Sequence, residues 1–111
     1  MNISAIIVTY NPNLSQLQKC VSSLLPQVEK IIIVKNSSEK LDFSEFQNEK
    51  IIQIQLEKNF GIAYAQNRGI EKAIAEGAEW VLLSDQDTVF PENYVSNFEK
   101  KIKIFGKNKN D

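Results

Sequence analysis

An α/β fold, with a mostly parallel sheet lying between layers of helices, is predicted from three features of the 111-residue chain. Short apolar, β-branched runs recur along it, amphipathic helical stretches alternate with those runs, and polar or turn-forming residues follow each run. Strands covered on both faces read as continuous apolar runs, and right-handed crossovers restrict the topologies available. With 42% hydrophobic and 24% charged residues, the chain is too apolar to be disordered, and one compact domain is expected.

The first strand is expected over Ile3 to Tyr10, an almost unbroken apolar run. Asn11 and Pro12 punctuate it, and Asn13 is suited to cap a helix on which Leu14, Leu17, Val21, Leu24, Leu25 and Val28 recur at helical spacing, with Pro26 limiting its far end. Ile31 to Val34 reads as a second buried strand, closed by the turn residues Asn36, Ser37 and Ser38. The polar stretch from Glu39 to Glu49 predicts a loop with at most a helical turn. Ile51 to Leu56 alternates isoleucine and leucine with Gln53 and Gln55, which suggests a third strand with one face less buried. Ile62 to Glu76 predicts a helix ended by Gly77, with Ala63, Ile70, Ala73 and Ile74 on one face. Within it, Gly69 costs about 1 kcal/mol relative to alanine, which points to a close backbone approach. Trp80 to Leu83 is the fourth strand. Pro91 suits the first turn of a last helix, with Val95, Phe98, Ile102 and Phe105 on one face and Lys100, Lys101 and Lys103 on the other, before a frayed end from Lys107 to Asp111.

Composition excludes several function classes. A net charge of −1 offers no basic surface for neutralising nucleic-acid phosphates. Cys20 is the only cysteine and histidine is absent, so disulfide frameworks, Cys/His zinc sites and His-dependent triads are ruled out for this chain. Cys20 is expected to be a small buried apolar residue. The amino terminus lacks the basic and long apolar regions of a signal peptide, and no stretch is long enough to span a bilayer, so a cytoplasmic protein is expected.

Ligands of open parallel sheets bind at the carboxyl ends of the strands. Polar clusters fall at all four such ends: Thr9-Tyr10-Asn11, Lys35-Asn36-Ser37-Ser38, Asn59-Phe60-Gly61 and Asp85-Gln86-Asp87. The last is the sharpest. Residues two apart in an extended segment project to the same side, so Asp85 and Asp87 can face one ligand, and an all-oxygen donor set favours Mg²⁺ or Mn²⁺ over zinc. The alternative for a D-x-D pattern is a solvated turn; its place directly after a buried strand favours the metal reading. Asn67 is expected to hydrogen-bond the rim loops or a ligand, or else to make a purely structural bond.

Four stretches resemble, in order, the motifs of family 2 glycosyltransferases: Ile6-Ile7-Val8-Thr9-Tyr10-Asn11-Pro12, Ile31 to Ser38, Asn59-Phe60-Gly61-Ile62-Ala63 with Gln66-Asn67-Arg68-Gly69, and Val81 to Thr88. The third and fourth are similar to rhamnosyltransferases in particular. The resemblance covers nearly the whole chain and implies a Rossmann-like GT-A fold, a three-layer sandwich of which this chain is the amino-terminal, nucleotide-sugar-binding part. It also implies an inverting transfer from a nucleotide-diphospho-sugar, aided by Mg²⁺ or Mn²⁺, to a saccharide or lipid-linked acceptor. By position, Thr9, Tyr10 and Asn11 would border the nucleoside, Asn59, Gly61 and Asn67 would belong to the nucleotide site, Asp85 would face the ribose or sugar, and Asp87 would ligate the metal.

The chain departs from the family in two respects. Lys35 stands where the family usually has an aspartate that contacts the pyrimidine, and a cation cannot accept the base's N–H; Lys35 would then reach a phosphate or be an exposed loop residue. Family members also continue past the D-x-D motif into an acceptor half that carries the general base, a role no residue here is assigned. A binding module without transfer is therefore a rival. Asp85-Gln86-Asp87-Thr88-Val89 also fits the nucleophile motif of haloacid-dehalogenase-like phosphatases, but only 22 residues follow it, too few for that fold's remaining catalytic groups. An uncovered sheet edge would favour a homo-oligomer. The lysines near the end suit a solvated helix face, with contact to an anionic membrane at the cytoplasmic face as the alternative.

Overall fold

The computed structural model describes the backbone of residues 2–109 and the side chains of residues 2–101. Its elements follow the expected alternation: β1 (Ile3–Thr9), α1 (Leu14–Leu24), β2 (Lys30–Lys35), a 3₁₀ turn (Ser44–Phe46), β3 (Ile51–Gln55), α2 (Ile62–Ala75), β4 (Trp80–Ser84) and α3 (Tyr94–Lys109). The four strands form one parallel sheet in the order β3-β2-β1-β4. Register places Ile6 of β1 opposite Ile32 of β2 and Leu83 of β4.

Alternation along the strands sends side chains to two cores. Ile3, Ala5, Ile7, Ile31 and Ile33 pack with Leu17, Val21 and Leu24 of α1, with Phe43 and Phe46, and with Val95 of α3. Ile6, Ile32 and Val34 pack on the opposite face with Ala65 and Ala73 of α2. Helices therefore cover both faces, and the strands read as unbroken apolar runs because neither face of β1 or β2 meets water.

Asn13 caps α1 as expected, accepting the Gln16 N–H at 3.0 Å, and Leu17, Cys20, Val21 and Leu24 form its buried stripe. The helix ends at Leu24, before Val28, because Pro26 has no N–H with which to extend the ladder. The glutamine face of β3 is the less buried one at its end, where Gln55 is exposed while donating to the Ser37 carbonyl. Gln53 is half-buried, accepting a hydrogen bond from Lys35 and donating to the Phe43 carbonyl, so the β2–β3 connection covers that face only in part.

On α2 the buried stripe is Ala65, Gly69 and Ala73, one position round from the face expected; Ala63 and Ile74 are exposed, Ile74 by 64%. Packing distance decides this. A Cβ on Gly69 would lie 2.5 Å from Ile6 Cγ2 and 3.2 Å from Val34 Cγ2, so only a small-residue stripe lets the helix seat this closely. Past the C-cap Glu76, Gly77 (φ 91°) donates to the Ile74 carbonyl at 3.0 Å and Ala78 to the Ala73 carbonyl at 2.9 Å, the paired bonds of a Schellman ending.

Pro91 precedes α3 instead of opening it; its carbonyl accepts the Tyr94 N–H at 3.2 Å. Val95 is buried and Phe98 meets Trp80 edge-on at 6.0 Å. The backbone is helical through Lys109, past the point where fraying was expected. The expected face positions Ile102 and Phe105, and the side chains of Lys103, Lys107 and Lys109, lie outside the described residues. Among the described residues no helix is long and apolar enough to cross a membrane.

Candidate functional site at the carboxyl edge of the sheet

Strand order reverses between β1 and β4: the chain runs outward from β1 through β2 to β3, then returns to place β4 on the other side of β1. Such a switch point is where open α/β sheets form a crevice. Here the β1–β4 ladder stops at Ile7 and Ser84, while the β1–β2 ladder continues to Thr9 and Lys35. The divergence opens a recess of about 440 Å³.

Val8 and Tyr10 line it from β1 and its loop, Asn36 from the end of β2, Asn59, Gly61 and Ile62 from the entry to α2, and Ser84 through Asp87 from the end of β4. Five of the expected site residues thus meet: Tyr10, Asn59, Gly61, Asp85 and Asp87. A second recess of about 220 Å³ shares Tyr10 and Asn59 with the first and includes Asn11, Ser38 and Lys58. Asn11 takes a left-handed conformation, φ 45°, which asparagine tolerates better than most residues and which turns the chain out of β1.

Three expected residues stand elsewhere. Thr9 is 2% exposed and lines neither recess; its carbonyl accepts the Asn36 N–H at 2.9 Å. Lys35 is half-buried, donating to Gln53 at 3.0 Å with its ammonium 4.7 Å from the centre of the Phe43 ring. It is neither an exposed loop lysine nor a wall of either recess, and burial lowers its pKa. Asn67 is exposed on α2, because the buried stripe is rotated away from it.

Asp85 and Asp87 do not lie in an extended segment. The strand ends at Ser84, and Gln86 and Asp87 form a turn, which brings both aspartates to the same recess by a route other than strand alternation. The Asp85 carbonyl anchors the turn, accepting from Ser84 Oγ at 2.8 Å and from the Cys20 thiol at 3.5 Å. Burial, with Asp87 and Asp85 nearby, raises the Cys20 pKa, although the Ser84 hydroxyl partly opposes this. Among the described residues no group of three Asp, Glu, His or Cys side chains could hold a metal. Two carboxylates fit a cation shared with a ligand's phosphates, since Mg²⁺ commonly takes one or two carboxylates and completes its shell with phosphate and water.

Two residues that the sequence placed in the rim clusters but gave no role in the nucleotide or metal site organise the rim. Asn36, 3% exposed, donates to Asn59 Oδ1 at 3.0 Å and to the Gly61 carbonyl at 3.4 Å, and accepts the Phe60 N–H at 3.0 Å. Gln86 accepts the Tyr10 N–H at 2.9 Å and donates to the Tyr10 carbonyl at 3.2 Å. Asn36 reads locally as turn chemistry. The only hint was its place at the end of a strand bordering the rim.

The sequence model described as glycosyl transferase family 2 matches residues 4–107. The chain is 36% identical over 110 residues to a dTDP-rhamnosyl transferase, RfbF, of Shigella flexneri, covering 98% of this chain and 36% of that protein. It is 33% identical over 109 residues to an uncharacterized glycosyltransferase, YwdF, of Bacillus subtilis (strain 168), covering 92% of this chain and 38% of that protein. The chain therefore spans little more than a third of the length of these curated relatives. Its fold is similar to that of residues 1–349 of TarS from S. aureus, with a TM-score of 0.76 over 93% of this chain and 32% of that one, at 23% identity.

Proposed function

The chain belongs to glycosyl transferase family 2, and from that premise we propose that it forms the donor-binding part of an inverting transferase acting on a nucleotide-diphospho-sugar. The rhamnosyltransferase among its relatives makes a dTDP-linked deoxysugar the leading donor. A saccharide or lipid-linked acceptor would be bound by other parts of the enzyme, at the cytoplasmic face of a membrane or in the cytoplasm. The observation that carries the proposal is the meeting of Tyr10, Asn59, Gly61, Asp85 and Asp87 at one recess on the switch point of the sheet.

In this reading Tyr10 and Asn11 border the nucleoside, and the half-exposed Tyr10 ring offers the base an apolar face. Asp85 faces the ribose or sugar. The amino end of α2 enters the recess at Gly61 and Ile62 with no side chain capping it, so its free N–H groups and dipole suit a diphosphate. Asp87, with Asp85 beside it, would hold Mg²⁺ or Mn²⁺ against that diphosphate. The cation would supply neutralisation of the charge developing on the leaving group. No residue of this chain is assigned the general base that takes the acceptor's proton.

Calorimetric titration with dTDP tests the reading. Affinity is expected to rise when Mn²⁺ replaces a chelator, and Asp87→Ala should remove that gain. Equal affinity in chelator and Mn²⁺ would overturn the cation assignment. A second reading, donor binding without transfer, is favoured by Lys35, which stands at the family's base-reading position but is held against Phe43. Assaying donor hydrolysis and sugar transfer alongside binding separates the two.

A further inference from the structure

Past Ser84 the end of β1 has lost β4 as a backbone partner. The side chain of Gln86 takes that place, engaging Tyr10 through both ends of one amide: Oε1 with the Tyr10 N–H at 2.9 Å, Nε2 with the Tyr10 carbonyl at 3.2 Å. A single hydrogen bond would fix distance and leave a swivel; the pair fixes orientation too. From the other flank, the Asn36 N–H holds the Thr9 carbonyl at 2.9 Å, so the Thr9–Tyr10 peptide is gripped from both sides. Among the described residues no other hydrogen bond joins the loop after β1 to the turn after β4. Tyr10 in turn is a wall common to both recesses.

We propose that Gln86 is a positioning residue that couples the two recesses, so that a cation and diphosphate settled at Asp85 and Asp87 set the turn, and Gln86 carries that setting to Tyr10, against which the nucleoside packs. The inference rests on the donor-site reading above and deepens it. Coupling between two sites is reciprocal, so the nucleoside end must tighten the cation end by the same factor. Nothing in this role needs Gln86 to touch the ligand, although its amide keeps a second N–H and a second lone pair beyond those that serve Tyr10.

The test is a thermodynamic cycle on the 111-residue chain, titrating dTDP in chelator and in Mn²⁺. Wild type should gain affinity with Mn²⁺. Gln86→Met, which fills similar space without either hydrogen bond, should shrink that gain by about tenfold, as two lost hydrogen bonds would allow, while changing dTDP affinity in chelator much less. In the Asp87→Ala background the same substitution should have almost no effect, because the end that Gln86 reports on is gone. A readout that mere structural support would not move is the Tyr10 backbone amide in ¹⁵N–¹H spectra: adding Mg²⁺ to the dTDP-bound chain should shift it in wild type and leave it still in Gln86→Met. Gln86→Ala provides a second variant should the thioether repack. An undiminished Mn²⁺ gain in both variants, with wild type coupled, overturns the role of Gln86 alone. Wild type that binds dTDP equally with and without Mn²⁺, or not at all, overturns the donor-site reading and this inference with it.

Discussion

Asn36 shows how one buried amide can decide a rim. Its side chain uses both donors and its acceptor on the segment Asn59 to Gly61, so Asn36→Ala would leave the Phe60 N–H and the Gly61 carbonyl without that partner. Phe60 and Gly61 are exposed, so water can take the vacated places, and the loss is about 0.5 to 1.5 kcal/mol per hydrogen bond. A destabilisation of that order, together with weaker dTDP binding, is the expected outcome by denaturant melts and calorimetry, and unchanged values for both would remove Asn36 from the site. Cys20 makes a prediction about pH. Its folded pKa is raised above the ordinary value of 9.0 chiefly by burial, so in the window above that value the folded chain holds a proton that the unfolded chain has released. Stability from this group is then complete below pH 9.0 and falls as pH rises through the window. Melting temperatures measured from pH 8 upward should decline in wild type more steeply than in Cys20→Ala. Parallel slopes would show that the thiol is not the group responsible.

The seating of α2 sets the geometry of an entire layer. Alanine in place of a helical glycine normally gains up to about 1 kcal/mol, but a Cβ at Gly69 would stand 2.5 Å from Ile6 Cγ2, well inside van der Waals contact. Overpacking of this kind costs about 1 to 3 kcal/mol, so Gly69→Ala should lower stability despite the better propensity, and a rise in melting temperature would mean that the helix can lift without cost. The displaced helix would also carry Gly61 and Ile62 away from the recess. Element types were legible in the sequence because hydrophobic spacing differs between helix and strand. The facing of α2 was not legible, since Ala73 and Ile74 are neighbours in sequence and only the distance to Ile6 and Val34 selects the smaller one for the interior.

At the scale of the whole molecule, β4 lies at one edge of the sheet with Trp80 42%, Val81 37% and Leu83 45% exposed. Beside it, an apolar hollow of about 140 Å³ lies between the strand and Tyr94, Val95 and Phe98. An uncharged, apolar edge strand carries none of the features that discourage edge-to-edge pairing. The 111-residue chain is therefore expected to self-associate, with an apparent mass in light scattering that rises with concentration. Val81→Lys or Leu83→Lys should restore a monomer, and a wild-type chain that stays monomeric at high concentration would refute the expectation.

The order of strands and helices, the parallel sheet, the glycosyltransferase family and five of the residues that meet at the main recess were determined by the sequence alone, because apolar periodicity and ordered local motifs are properties of short segments. Other matters were decided only by the tertiary structure. Lys35 turns to Gln53 and Phe43, Thr9 is buried, Asn67 faces outward, and the recess opens between β1 and β4. The rim is tied together by Asn36 and Gln86, whose partners lie 24 and 76 residues away along the chain. Local pattern carries no information about contacts of that range, which come into being only when the sheet assembles and sets how far its strand ends diverge.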